Sequence, residues 1–390
     1  MLLALATAFA MSQAFRTVAA IVAPGILLTL VGFALLLGPL IFLHELGHYT
    51  VGRWCGVKAD VFSIGFGKEL FGWTDKRGTR WKISMLPLGG YVQFAGDADA
   101  SSKPDAAWLS LPAEEREKTL NAKPLWQRAA VVAAGPVTNF LFAILILAGF
   151  SLAFGKIVAA PVIGTVEVGS VAQAAGLRVG DRVVSILGET PSDWEAMHMA
   201  IAQHPGEPLD VVIERGGLRQ SLQIRAKDKV TKDKFGNESR IGYLGIGPAS
   251  IERVKVGPVE AVSLAVGQTW TIVKMSVTGI GQIVTGKRDT KELGGPLKIA
   301  KFSGEQLSLG WLNFVWFVAL ISINLGFINL VPIPVLDGGH LALYAIEAVR
   351  RKPVSERGQE WAFRTGLAFV VALMVFVTVN DIAQFKVFGG

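Results

Sequence analysis

Charge is absent from three long stretches of the chain, and these set the first expectation about its architecture. No charged residue lies between Arg16 and His44, between Arg128 and Lys156, or between Glu305 and Asp337. Each stretch exceeds the roughly 20 apolar residues that a helix needs to cross about 30 Å of hydrocarbon. A fourth run, Thr365 to Asn380, is shorter. Trp361 and Phe363 extend it, and Arg364 can reach the interface with its long side chain. The pattern predicts four membrane-spanning segments, at 17–56, 129–155, 306–346 and 361–381.

Between the first two spans the period changes from helix to strand. In TRWKISMLP, Trp81, Ile83 and Met85 alternate with Arg80, Lys82 and Ser84. In VFSIGF, Phe62, Ile64 and Phe66 keep the same spacing, which is that of a half-buried strand. TDKRGT between them has turn chemistry, and PLGGYVQFAG reads as a further short strand. Residues 57–128 are therefore expected to hold a membrane-associated β-hairpin region. Its end, 97–124, with Pro104, Pro112 and AEEREK, is expected to be a solvated loop with a short surface helix.

After the second span the chain turns globular. VIGTVEVGSVAQAAGLRVGDRVVSILGE gives strand, short helix and strand, SDWEAMHMAIAQHPG gives a helix, and PLDVVIERGGLRQSLQIRA gives a hairpin turning at Gly216-Gly217. This unit, placed at 156–230, resembles a PDZ domain. Such a unit captures an extended peptide by strand addition at a sheet edge. Residues 231–305 are expected to be a linker followed by an apolar helix near 256–285, interrupted by Glu260 and Lys274. A fifth span and a helix lying on the membrane surface both fit it. The surface helix is preferred, because an even number of spans keeps Asp337 on the side of His44. Residues 347–360 are a short loop. The fold class is thus an α-helical polytopic membrane protein with an inserted α+β domain.

Charge then orients the spans. The chain carries a net +7. Twelve Lys or Arg fall in 52–128 and four in 350–357. Positive residues near span ends favour the cytoplasm. That puts both loops, and the end of the first span, on the cytoplasmic side, with both termini and 156–305 outside. The basic residues flank spans and mix with acids, so membrane lipid is the expected partner and nucleic acid is not. One cysteine, Cys55, excludes an intramolecular disulfide. MLLALATAFAMSQAFR lacks the basic first region of a signal peptide, and Met11 is an alternative start.

One motif carries chemistry. HELGH, residues 44–48, is H-E-x-x-H at the end of an apolar run. On a helix, His44 and His48 share one face and can reach one zinc, with Glu45 beside them to take a proton from water. A polar helix end at the membrane surface is the plainer reading. It is disfavoured, because Glu in an apolar run is costly and usually functional. Catalytic zinc needs a third protein ligand. Trp54 stands where a third histidine would follow, and Glu69 lies in a hairpin pattern. Asp337, the first charge after the third apolar run, is the better candidate; a helix cap is its plainer role. Pro332 and Pro334 break the helix just before it. His340 could support the site from behind or equally play a plain helix-end role; His198, His204 and Cys55 read as ordinary surface or packing residues. The tryptophans near span ends read as interface anchors.

With these residues in hand, the chain resembles the site-2 protease family (peptidase family M50), intramembrane zinc metalloproteases of the bacterial RseP type. HELGH matches the family's first motif and NLVPIPVLDGGH its second; AAGPVTNFLFAI and GGYV resemble further family segments. The resemblance implies that His44, His48 and Asp337 bind one zinc, that Glu45 is the catalytic base, and that Asn324 and Asn329 hold substrate. It implies location in the bacterial inner membrane and cleavage within single-span membrane proteins. The cut would follow a first one by another protease, as in release of an anti-sigma factor domain. One departure is that proteases of the RseP type carry two PDZ units in tandem, whereas one such unit is read here. A catalytically inactive membrane adaptor using the PDZ-like unit is the alternative. Four spans without internal repeats disfavour a transporter.

Overall fold

The computed structural model describes residues 2–97, 112–232, 238–250, 252–286, 289–290 and 293–384. Helix α1 (Leu2–Trp54) leads into strands β1 (Ala59–Thr74) and β2 (Arg80–Phe94), the short α2 (Ala113–Arg116) and α3 (Leu125–Phe154). Strands β3 (Lys156–Val158) and β4 (Ile163–Val166), α4 (Val171–Ala174), β5 (Arg182–Ile186) and α5 (Trp194–Ala202) follow. Then come β6 (Pro208–Arg215), β7 (Leu218–Arg225), β8 (Lys227–Lys232), β9 (Glu238–Tyr243), β10 (Ile246–Pro248) and β11 (Glu252–Val254). The chain closes with α6 (Pro258–Val284), α7 (Pro296–Ser308), α8 (Trp311–Leu330), α9 (Asp337–Arg350) and α10 (Glu356–Gln384). It divides into two compact units, 1–147 with 265–390, and 148–264.

In the first unit, four helices among the described residues are long and apolar enough to cross a membrane. They are Gly25–Trp54 within α1, α3, α8, and Arg357–Ala383 within α10. Helix α6 is not one of them. The run expected as a third span at 306–346 is not a single helix. It stops at Leu330 and restarts at Asp337, with Val335 forced to φ 95° between them. Pro332 and Pro334 lack backbone N–H groups and push the residue before each out of helical geometry. Helix α7 fills the bundle beside α1, where Gly32 and Gly304 let the backbones meet: a Cβ on Gly32 would stand 2.8 Å from the Ser303 carbonyl. Asp381 of α10, 1% exposed, receives the backbone N–H groups of Gly295 and Lys298 and so caps α7 from another helix.

The β-region is more folded than its pattern suggests. PLGGYVQFAG is not a separate strand; most of it is the second half of β2, folded back across β1. Val61, Phe62, Ser63 and Ile64 sit opposite Arg80, Trp81, Lys82 and Ile83 on one side, both runs ascending. On the other side they sit opposite Gln93, Val92, Tyr91 and Gly90. The far half of β1, Glu69 to Thr74, pairs back onto Ser84 to Arg80. The bends fall at Gly65, Gly67 and Gly89, all at positive φ. One face buries Phe62, Val92 and Phe94 with Tyr49 and Val57. Leu70, Phe71, Trp73 and Met85 are exposed, which suits contact with lipid. The expected solvated stretch 97–124 is only partly that. Residues 98–111 lie outside the described residues, but Thr119 and Leu120 are buried, Leu120 against the same cluster. A single Leu in a charged stretch gives no period to read.

The second unit surrounds Leu209, Val211, Ile213, Met197 and Ile163. Strands β5, β6 and β7 pair in that order, β10 pairs with β4, β11 with β3, and β8 with β9. Ser170 and Asp193 cap α4 and α5. The Arg215 guanidinium beside buried Asp181 holds its carboxyl below the usual carboxylate range. The boundary expected at 230 falls short. Strands β9, β10 and β11 belong to this unit, and Leu244 and Ile246 join its core. The Lys-rich β8 hid the continuation, because its edge position tolerates charge on both faces.

Candidate metal centre

The apolar half of α1 brings His44 and His48 to one face, since residues four apart lie one above the other. Their Nε2 atoms are 3.2 Å apart. Asp337, first residue of α9, arrives from 289 positions later in the chain. Its Oδ2 lies 3.2 Å from His44 Nε2 and 3.5 Å from His48 Nε2. Among the described residues these three form the one group able to hold a metal ion.

The donors fit zinc. Tetrahedral zinc with bonds of about 2.0–2.1 Å places its ligand atoms roughly 3.3–3.4 Å apart. The Asp337 Oδ2 is buried without a hydrogen-bond donor, which a cation would answer. His48 Nδ1 donates to the Val131 carbonyl at 2.9 Å. A carbonyl can only accept, so the proton sits on Nδ1 and Nε2 keeps its lone pair. His44 Nδ1 lies 3.2 Å from the Asn139 amide, whose Oδ1 is buried without a partner. Turning the amide over pairs that oxygen with the Nδ1–H and frees His44 Nε2 in the same way.

Helix α3 makes this crossing close. A Cβ on Gly47 would stand 2.5 Å from the Ala134 carbonyl. A Cβ on Gly135 would stand 2.6 Å from His48 Cε1 and 2.9 Å from His44 Cε1. Two glycines therefore let α3 lie directly against the imidazoles. At its start, α3 also holds α9. Arg128 Nη2 donates to Glu347 Oε1 at 2.6 Å and Nη1 to Oε2 at 3.4 Å, with the guanidinium 5.0 Å from the Tyr344 ring centre. One helix thus touches both halves of the metal centre.

Glu45 is 8% exposed. It stands beside the free edge of β2: the Val92 backbone N–H faces its carboxylate, and a Cβ on Gly90 would stand 2.9 Å from its Cγ. Glu69 is committed to Arg80 and plays no part here. Asn324 is not brought to the metal centre. Its amide nitrogen bonds the Leu320 carbonyl and its oxygen receives the Ser276 hydroxyl of α6 at 3.0 Å. Asn329 is half-buried, and no hydrogen bond among the described residues joins it to the three ligands. His340 lies one turn beyond Asp337. His204 bonds the Ala200 carbonyl inside the second unit, and Cys55 packs beside Tyr49 and Val57. Sequence reasoning gave Val131, Gly135 and Asn139 no role. Their signal was the Gly135 and Asn139 spacing of four, which puts both on the face of α3 that meets α1.

Comparison with known proteins agrees with this chemistry. The model of peptidase family M50 matches residues 32–373. A protein of Agrobacterium fabrum named "Putative zinc metalloprotease Atu1380" is 45% identical over 360 residues, 91% of this chain and 96% of its own. A Rhizobium meliloti protein of the same description is 44% identical, with the same two shares. "Metalloprotease MmpA" of Caulobacter vibrioides is 34% identical over 388 residues, 93% of this chain and 98% of its own.

Proposed function

The chain belongs to peptidase family M50, and from that premise we propose that this bacterial multi-pass zinc metalloprotease cuts peptide bonds within the spans of single-span membrane proteins. The observation that carries the reading is the meeting of His44, His48 and Asp337 beside Glu45 on an apolar helix. His44, His48 and Asp337 hold the metal. A bound zinc supplies Lewis-acid polarisation of the scissile carbonyl and lowers the pKa of water. Glu45 takes the proton of the attacking water and passes it to the leaving amine. Burial keeps bulk water from the carboxylate, and the Val92 N–H orients it.

A helix hides its peptide bonds, so the substrate must unwind before cutting. The free edge of residues 90–94 runs beside Glu45 and offers backbone groups to an extended strand. Proline or a charge on that edge is expected to slow cutting of a membrane-span substrate while zinc content stays unchanged; equal rates would remove this step. The basic loops favour a metal centre near the cytoplasmic side of the inner membrane, with both termini outside. The PDZ-like second unit would take an extended peptide from the substrate, after a first cut elsewhere. Release of an anti-sigma factor domain is the signalling role that fits. Asn324 and Asn329 would act as substrate contacts only after Asn324 leaves Ser276.

The direct test is zinc per chain in detergent-purified protein, beside Asp337→Ala. About one zinc is expected in the wild type, with affinity sharply weakened in the variant, since one of three protein ligands is gone. Equal zinc in both would separate Asp337 from the metal.

A further inference from the structure

A second set of cationic groups gathers where α1 ends, and the proposed reaction makes no use of it. Tyr49, Thr50, Arg53, Trp54 and Arg77 line an open cleft of about 460 Å³. Arg77 comes from the tight turn between β1 and β2, which folds back against the last turn of α1. Its guanidinium has no hydrogen-bond or ion-pair partner among the described residues. Arg53 makes one long bond, 3.4 Å, to the Val57 carbonyl. Asp75, in the same turn as Arg77 and close enough to act on Arg53, is already engaged. Its Oδ1 receives the N–H groups of Arg77 and Thr79 at 2.8 and 3.0 Å, and its Oδ2 receives the Trp81 indole at 3.0 Å. Asp75 therefore shapes the turn and offsets one charge, and the cleft keeps an excess of positive charge.

Place in the fold says what that charge can meet. Arg53 and Trp54 close the span Gly25–Trp54, and Trp54 is 80% exposed. An exposed indole at a span end sits at the level of lipid headgroups. Guanidinium forks match phosphate oxygens two at a time, and basic pockets at span ends suit anionic headgroups. We propose that this cleft binds the phosphate of an anionic phospholipid headgroup. Arg53 and Arg77 grip the phosphate, and the Tyr49 and Thr50 hydroxyls stand beside it. Trp54 lies along the first carbons of the acyl chains. His48 precedes Tyr49 directly and is about 7.5 Å along the axis from Arg53, at 1.5 Å per residue. A lipid held there fixes the depth of the metal centre relative to the headgroup plane.

The inference does not rest on the proposed activity, and its test needs none. Full-length protein in neutral detergent is titrated with phosphatidylglycerol or phosphatidylcholine and read by native mass spectrometry. It is compared with Arg53→Gln/Arg77→Gln, whose zinc content and helical circular dichroism report that it is folded. The wild type is expected to retain one phosphatidylglycerol in preference to phosphatidylcholine, with the preference reduced about tenfold or more in the variant. Equal lipid retention by both folded proteins overturns the proposal. Inorganic phosphate that competes as well as the lipid would make the cleft a free-phosphate site. An acidic peptide that binds there when the lipid does not would make it a protein contact. Either result also overturns the lipid assignment. A variant that fails to fold is replaced by Arg77→Gln alone, since Arg77 lies on an exposed turn and supports no packing.

Discussion

Glu45→Gln is expected to lower the rate of peptide hydrolysis by about 10²–10⁴-fold, the usual contribution of a positioned general base. Zinc content should stay at that of the wild type. Gln has the shape of Glu and an amide oxygen that can still accept from the Val92 N–H, so the local packing survives. It cannot take a proton at neutral pH. Neither does Glu45 belong to the three atoms that converge on the metal, so its loss leaves the donor set intact. The experiment measures zinc per chain and turnover of a single-span substrate in the same preparation. A variant that keeps more than about a tenth of the activity would move the base elsewhere, because a base contributes at least about 10². A variant that loses both zinc and activity would make Glu45 a structural partner of the ligands. Glu45→Asp separates position from chemistry: it keeps the carboxylate and withdraws it by one methylene, so partial activity is expected.

The legibility of this site in the sequence follows from how its residues act. His44, Glu45 and His48 are legible because their relation is local: a spacing of four on one helix needs no tertiary information. Asp337 is legible for a different reason. An acid at the end of a long apolar run demands a partner, and only a few residues of the chain can supply one. The prolines before it mark the break in the third run, although not the path of 331–336. Val131 is invisible to such reasoning, and Asn139 is marked only by its spacing of four from Gly135. A backbone carbonyl has no sequence signature, and one amide inside an apolar helix reads as ordinary interhelical polarity. The same limit explains the β-region and the second unit. Alternation predicts strands but not that β2 folds back to flank β1 on both sides, because that depends on bends at Gly65, Gly67 and Gly89. The β8–β9 hairpin reads as linker because charge on an edge hairpin masks its alternation, and only Leu244 and Ile246 after it reach the core.

Gly135→Ala is expected to weaken zinc binding by about 10–100-fold or more, the range seen when groups around a metal's ligands are disturbed. The added methyl would fall 2.6 Å from His48 Cε1 and 2.9 Å from His44 Cε1, with His48 Nε2 closer still. A flexible side chain could swing aside, but these rings are held. His48 is tied to the Val131 carbonyl and His44 to the Asn139 amide, both on the helix that carries the intruding methyl. Backing α3 away instead would open the Gly47 contact with Ala134 and stretch both of those hydrogen bonds. Helix propensity works against the expected loss, since alanine is the better helix former. A fall in zinc affinity would therefore report the crowding and not a weakened helix. Gly149→Ala is the control: it lies on the same helix with nothing within 4 Å of the added atom, and should bind zinc as the wild type does. Chelator competition on both variants reads the difference. Equal affinity in the two would mean that the imidazoles can rotate off the Val131 and Asn139 anchors at little cost, and the tight crossing of α1 and α3 would cease to explain how His44 and His48 are aimed.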